Sequence, residues 1–361
     1  MKALPRSSRA PALRVGPVSL PVRARAVATT VAGVVLLVVF VTGDLATGEV
    51  DIGLGAAFRA LVVGDNPTHA LLIREFRLPQ TAVAVLSGAA LGLSGALTQT
   101  FARNPLASPD ILGVTRGASL AAVVVIVGAT PGGYGAGLVE GALQRVGLMP
   151  AALAGGLASA ALLWLLAWRH GLDPRRLVLV GIAAGAALTA ITQWLLVVAS
   201  IEDVASAQVW LFGTLNGRGW DHVVPVAVVL AVVFPPALLL IRHLNTIQLG
   251  DDAARGLGVR LQRIQLLTLL AAVLLAAAAV SAVGPLDFVA FAVPQIALRL
   301  TGGSRPPLVA SMVCGASLVV AADLVCRIVL PPGVPAGVVT AGVGAPGLIW
   351  LLARANRRNS V

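Results

Sequence analysis

Few residues of this chain have a type and spacing that could do chemistry. Gly92-Leu93-Ser94-Gly95 carries the nucleophile pattern of an intramembrane serine hydrolase, a serine between glycines inside an apolar run. Such a serine needs a base in hydrogen-bond reach, and the four histidines, His69, His170, His222 and His243, fall at or beyond the ends of the apolar runs. An aspartyl pair fails in the same way, because Asp323 is the lone carboxylate deep in an apolar run. Intramembrane charge is costly and by default marks function. Arg327 stands four residues on, however, the spacing at which side chains meet on a helix, so a structural ion pair is the preferred reading. The sequence has no HExxH string and no Cys/His cluster to propose as a metal site. Cys314 and Cys326 are about 18 Å apart along a helix, beyond disulfide reach, and read as small buried hydrophobes. Lys2 is the only lysine, so a Walker A loop with its phosphate-binding Lys cannot form. The chain is therefore expected to catalyse no bond chemistry and to hold no cofactor.

The elements that position these residues follow from composition. Of 361 residues, 58% are hydrophobic and 11% charged, and the mean hydropathy is +0.92, which excludes an ordinary soluble domain. With 39 Gly, 22 Pro and only 4% aromatics, the apolar mass is Ala, Val and Leu, as transmembrane helices tolerate. The fold class expected is all-α, polytopic, with about ten transmembrane helices. The candidate spans, sought as apolar runs of about 17–25 residues, are 26–43, 79–102, 111–129, 149–168, 177–200, 222–242, 263–283, 288–301, 306–328 and 336–353. Two are irregular: 288–301 is short and holds Pro294, and 306–328 holds Asp323. Residues 1–25 form a basic tail before an uncleaved first helix, 26–353 the transmembrane domain and 354–361 a basic C-terminal tail.

The net charge of +11 does not indicate nucleic acid, because the basic residues sit singly between apolar runs instead of clustering with aromatics. Positive-inside topology accounts for them. An even number of spans places both termini on one side, and with the tail cytoplasmic most arginines fall inside. Arg116 then lies in an inner connector, while Asp44 and Asp287 lie in outer ones. The six tryptophans, Trp164, Trp168, Trp194, Trp210, Trp220 and Trp350, sit near span ends or in loops as interfacial anchors should. The longest inner connector, 244–262, contains a short helix from Asp251 to Leu257 closed by Gly258, either a surface on which a soluble partner could dock or a solvated connector. Gly88, Gly92 and Ala96 have the small-xxx-small spacing of close helix packing. The Asn104-Pro105 break beside them requires cover from protein or a water-filled cavity.

Seven strings in order, FRLPQ (76–80), NPLASPDILGVTRGAS (104–119), WLFGTLNGRGW (210–220), LNTIQLGDDAARGLGVR (244–260), GPLDFVAFAVPQIALRLTGG (284–303), AADLVCR (321–327) and VPAGVVTAGVGAP (334–346), resemble the FecCD-type permeases of type II ABC importers. The likeness covers nearly the whole chain after residue 25. It implies ten helices per subunit, a permease dimer around a central pathway, two ABC ATPase subunits that hold ATP and Mg, and an extracytoplasmic siderophore-binding protein. It implies that Gly250, Asp251, Arg255, Leu257 and Gly258 meet the ATPase. Arg77 and Arg327 match the arginines that dock the binding protein; where the family usually has a second arginine this chain has Gln80, and Arg74 one turn earlier is the candidate substitute. The pathway is expected along the fifth span: Asp173, Pro174 and Arg175 at the inner gate, then Thr189, Thr192 and Gln193.

Gln295 in place of the usual His, Leu298 in place of the usual Arg and Ala290 in place of the usual Gly resemble the second permease subunit of ferric enterobactin importers, which favours a heterodimer over a homodimer. The function implied is import of ferric siderophores across the cytoplasmic membrane, with haem or cobalamin as the alternative cargo within the family. A secondary transporter would need intramembrane acidic relays and inverted repeats. Only Asp323 and no clear repeat are found. Membrane lipid and protein partners are thus expected, and no nucleic acid.

Overall fold

The computed structural model describes residues 12–15, 18–21, 24–48, 53, 55–56, 59, 66–128, 147–167, 174–248, 250–331 and 333–359. Apart from an antiparallel hairpin in the tail, β1 (Ala12–Val15) with β2 (Val18–Pro21), the elements are helical: α1 (Ala24–Ala46), α2 (Pro67–Ala102), α3 (Val114–Gly128), α4 (Leu148–Ala167), α5 (Pro174–Val198), α6 (Ile201–Leu211), α7 (Trp220–Ile247), α8 (Asp251–Gly256), α9 (Leu261–Val283), α10 (Val289–Thr301), α11 (Leu308–Ile328) and α12 (Ala336–Asn359). Each of the ten expected spans corresponds to one of these. Among the described residues, seven helices are long and apolar enough to cross a membrane, and α3 and α10 are shorter apolar helices.

Helix starts and stops follow local chemistry. α2 begins well before the expected residue 79, because the Asn66 side chain accepts from the Thr68 and His69 amides and Pro67 follows as a first-turn residue. Its second turn, Leu72–Arg77, is a π-helix that turns Ile73 and Arg77 inward. The break after α2 is made by Arg103 in the left-handed conformation (φ 49°) and by Asn104, whose side chain accepts from the Leu106 amide at 2.9 Å. α6 is a helix that the apolar pattern did not announce; Ser200 caps it through the Asp203 amide at 3.1 Å.

The bundle is centred on α2 and α9, whose apolar windows are 83% and 72% buried, against 0% for α1 and 17% for α5. Lipid offers no hydrophobic driving force between helices, so close approach depends on small residues. A Cβ on Gly88 would run into the Gly315 carbonyl, one on Gly92 into the Ser311 carbonyl, and one on Gly95 into the Ala290 carbonyl. α2 therefore seats against α11 and α10 at backbone distance. Gly117 and Gly155 join α3 to α4 in the same way.

Two connectors are recessed into the bundle. Gly113, at the mouth of α3, accepts a hydrogen bond from Ser159 at 2.9 Å, and Ser159 lies about 12 Å before the end of α4 at 1.5 Å per residue. On the opposite side, residues 284–288 descend from the end of α9, and Phe288 (φ 65°) packs against Gly344, about 12 Å inside the start of α12. α3 and α10 both begin inside the bundle.

Candidate functional site

At the end of the bundle where α7 stops and α9 starts, the chain builds an exposed knob. α7 continues to Ile247, so the connector proper begins at residue 248. Gly250 (φ 109°) and Gly258 (φ 79°) bracket α8 in conformations that favour glycine, and the Gly258 amide closes the helix on the Arg255 carbonyl at 2.9 Å. Ala254 is fully buried and clusters with Ile247 and Leu261, which pins α8 to α7 and α9. Facing away from that anchor, Leu257 is 66% exposed, and Arg255 is exposed in a 3.6 Å pair with Asp252. Asp251 opens the helix.

Two cavities lie at this end. One, of about 600 Å³, is lined by Arg242, His243, Leu257, Gly258, Arg260 and Arg263. The other, of about 570 Å³, holds Arg103, Gln248, Arg299 and Arg305 above the amides of Gln99 and Gln295. Burial pushes the Arg305 guanidinium down from its usual value. Gln295 donates to Gln99 at 2.7 Å, and Gln99 donates to the Phe291 carbonyl at 2.9 Å, so the residue that departs from the expected His ties α10 to α2.

The opposite end holds a buried charge cluster. Arg327 donates to Asp323 through Nη2 at 2.6 Å and Nε at 3.0 Å, as the i, i+4 spacing implied. Sequence reasoning missed its second carboxylate: Asp44, placed in a connector, is the fully buried last turn of α1, 3.5 Å from Arg327 and accepting from Thr81 at 2.5 Å. The one available signal was an acidic residue directly after an apolar run. Gln80 bridges Asp323 at 3.4 Å and Asn216 at 3.3 Å. Arg77 is buried and donates to the Leu45 and Ala46 carbonyls at 2.9 and 3.2 Å, capping α1. Arg74 is the exposed arginine of this set, and its carbonyl accepts from the Trp220 indole at 3.2 Å. Among the tryptophans, Trp194 is exposed, as an interfacial anchor should be, while Trp210 is buried in the core.

Of the residues expected along the fifth span, Asp173 lies outside the described residues, and Pro174 and Arg175 form the first turn of α5. Thr189 accepts from Arg116 of α3, Thr192 is buried and donates to Leu188 at 2.9 Å, and Gln193 is exposed. Ser94 donates to the Ala272 carbonyl at 2.6 Å. That bond makes it a tether between α2 and α9, and replacing it with alanine is not expected to remove any chemistry.

Helices interrupted at depth, packed on small residues and ending in an exposed helical knob, define the class: a polytopic transport permease. The chain belongs to the FecCD transport family, whose family model matches residues 35–354. It is 40% identical to the ferric enterobactin transport system permease protein FepG of Escherichia coli (strain K12), over 87% of this chain and 92% of that protein. It is 41% identical to the Fe(3+) dicitrate transport system permease protein FecD of the same organism, over 79% and 86%. A chain of a metal-chelate type ABC transporter solved in an inward-facing conformation superimposes with a TM-score of 0.76 at 25% identity, covering 90% of this chain and 98% of that one.

Proposed function

We propose that this chain is a permease subunit of an ATP-binding cassette importer that carries ferric siderophores across the cytoplasmic membrane, with both termini cytoplasmic. The observation that carries the reading is the α8 knob, with Leu257 66% exposed between two left-handed glycines on a helix anchored by Ala254. An apolar knob on a rigid seat transmits displacement; a solvated connector needs none of these features. The partner ATPase binds ATP and Mg and moves the knob, and the bundle exchanges between two packings that open to opposite faces. Gly250, Asp251, Arg255, Leu257 and Gly258 form the contact. A second FecCD-type permease completes the pathway, and the outward apolar residues of α5, Leu179, Ile182, Trp194 and Val197, all more than 60% exposed, offer it a surface. At the Asp44 end, Arg74 presents charge to an acidic binding protein, while Arg77 and Arg327 hold the platform beneath it.

The test is ATP-dependent uptake of iron-55 siderophores, with haem and labelled cobalamin alongside, into vesicles holding this chain, its partner permease, the ATPase and the binding protein. Uptake of a ferric siderophore is expected; uptake of haem or cobalamin alone would overturn the cargo and keep the architecture. Leu257→Asp is expected to lower uptake about tenfold, the scale of losing one buried interface anchor, with the thermal stability of the isolated chain unchanged. Unchanged uptake would remove α8 from coupling.

A further inference from the structure

Topology counted along the sequence separates Arg116 and Asp287 on opposite sides of the membrane, and the structure brings them within electrostatic reach of each other and of Asp110 without a close ion pair among the described residues. They come this near because α3 and the 284–288 connector both begin inside the bundle. The Arg116 side chain lies against Gly185 and donates to Thr189. Those residues sit about 16 and about 22 Å along α5 at 1.5 Å per residue, near the middle of a 25-residue helix.

Arg116, Asp110 and Asp287 are all exposed on this chain. Charge at that depth does not face hydrocarbon; it faces a bundle interior or a water-filled cavity. The face made by the start of α3, the 284–288 connector and the polar side of α5 is therefore wet. Arg116 is also underused. Of the five N–H donors of a guanidinium, the hydrogen bond to Thr189 engages one, and among the described residues Arg116 makes no close ion pair, Asp287 acting from beyond contact distance. The Asp110 carboxylate is occupied by the Thr115 hydroxyl.

We propose that Arg116 is a mid-membrane station for an oxyanion-bearing ligand, a negatively charged metal chelate whose carboxylate or catecholate oxygens take the unspent guanidinium donors. Planar guanidinium matches such oxygen pairs. Asp287 and Asp110 hold the cation when the route is empty and keep its grip on the anion weak, as conduction requires of any site along a pathway. The ligand class rests on the importer reading above; the wet, anion-attracting face does not.

The test uses the assembled importer with Cys314→Ser, Cys326→Ser and Gln193→Cys, one turn beyond Thr189 on α5. Anionic sulfonatoethyl and cationic trimethylammonioethyl methanethiosulfonates are compared for their rates of reaction with that thiol. Arg116→Gln is expected to lower the anionic-to-cationic rate ratio at least about tenfold, the scale on which charge in a cleft alters local ion concentration, and Arg116→Lys to preserve it. An unchanged ratio, or a thiol inert to both reagents, overturns the proposal. In parallel, Arg116→Gln is expected to lower uptake of a tris-catecholate ferric chelate about tenfold with ATPase activity retained, and equal uptake overturns the ligand role. If the unsubstituted importer takes up no ferric chelate, the importer reading fails while the labelling result stands.

Discussion

Arg327→Ala is expected to destabilise the bundle by about 3–5 kcal/mol, the cost of leaving buried charge without its partner. Asp323 is 3% exposed and Asp44 fully buried, and both carboxylates lean on the one guanidinium at 2.6 and 3.5 Å. Removing it leaves two like charges facing each other beneath the ends of α1 and α11, with Thr81 and Gln80 as the remaining side-chain donors among the described residues. The measurement is the melting temperature of the purified importer in detergent, together with the amount of chain accumulated in membranes. A triple change, Asp44→Asn, Asp323→Asn and Arg327→Gln, should recover most of the loss, because replacing a whole buried ionic group costs less than breaking it. A wild-type melting temperature for Arg327→Ala would show that the cluster carries no stability.

Gly92→Leu should be comparably severe, at about 3 kcal/mol or more, because overpacking a close-packed contact forces backbone to move. The obstacle is the Ser311 carbonyl on α11, which cannot rotate aside as a side chain end would. Neighbouring Gly88 and Gly95 meet the Gly315 and Ala290 carbonyls, so α2 has no free direction in which to shift. Gly342→Leu on α12 is the matched control: an added Cβ there meets nothing within 4 Å, and the better helix propensity of Leu should hold or slightly raise stability. Equal melting temperatures for the two variants would refute the account of α2 as a backbone-contact helix.

The helical class and the spans were legible because each depends on local composition: an apolar run of membrane length must form a helix to satisfy its own backbone. The α8 knob was legible for a similar reason, since Gly250 and Gly258 mark their left-handed positions by type. The Asp323–Arg327 pair was equally so, lying within one turn of one helix. α6 escaped, because Ser200 and the polar Glu202-Asp203 turn interrupt the apolar pattern used to find helices.

What no local reading reached are the contacts between residues far apart in the chain. Asp44 joins Arg327 and Arg77 caps α1 only once α1, α2 and α11 are packed. Arg116 and Asp287 come within electrostatic reach because two connectors dip below the ends of the bundle. Sidedness counted along the sequence assigns each connector to one surface, and a recessed connector belongs to neither. The sequence by itself therefore determined which segments span and which one projects from the bundle, since helix formation and glycine conformation are decided within a few residues. Only the tertiary structure decided which charges from distant parts of the chain meet, because in a bundle packed on Gly88, Gly92 and Gly95 depth and facing are set by the neighbouring helices.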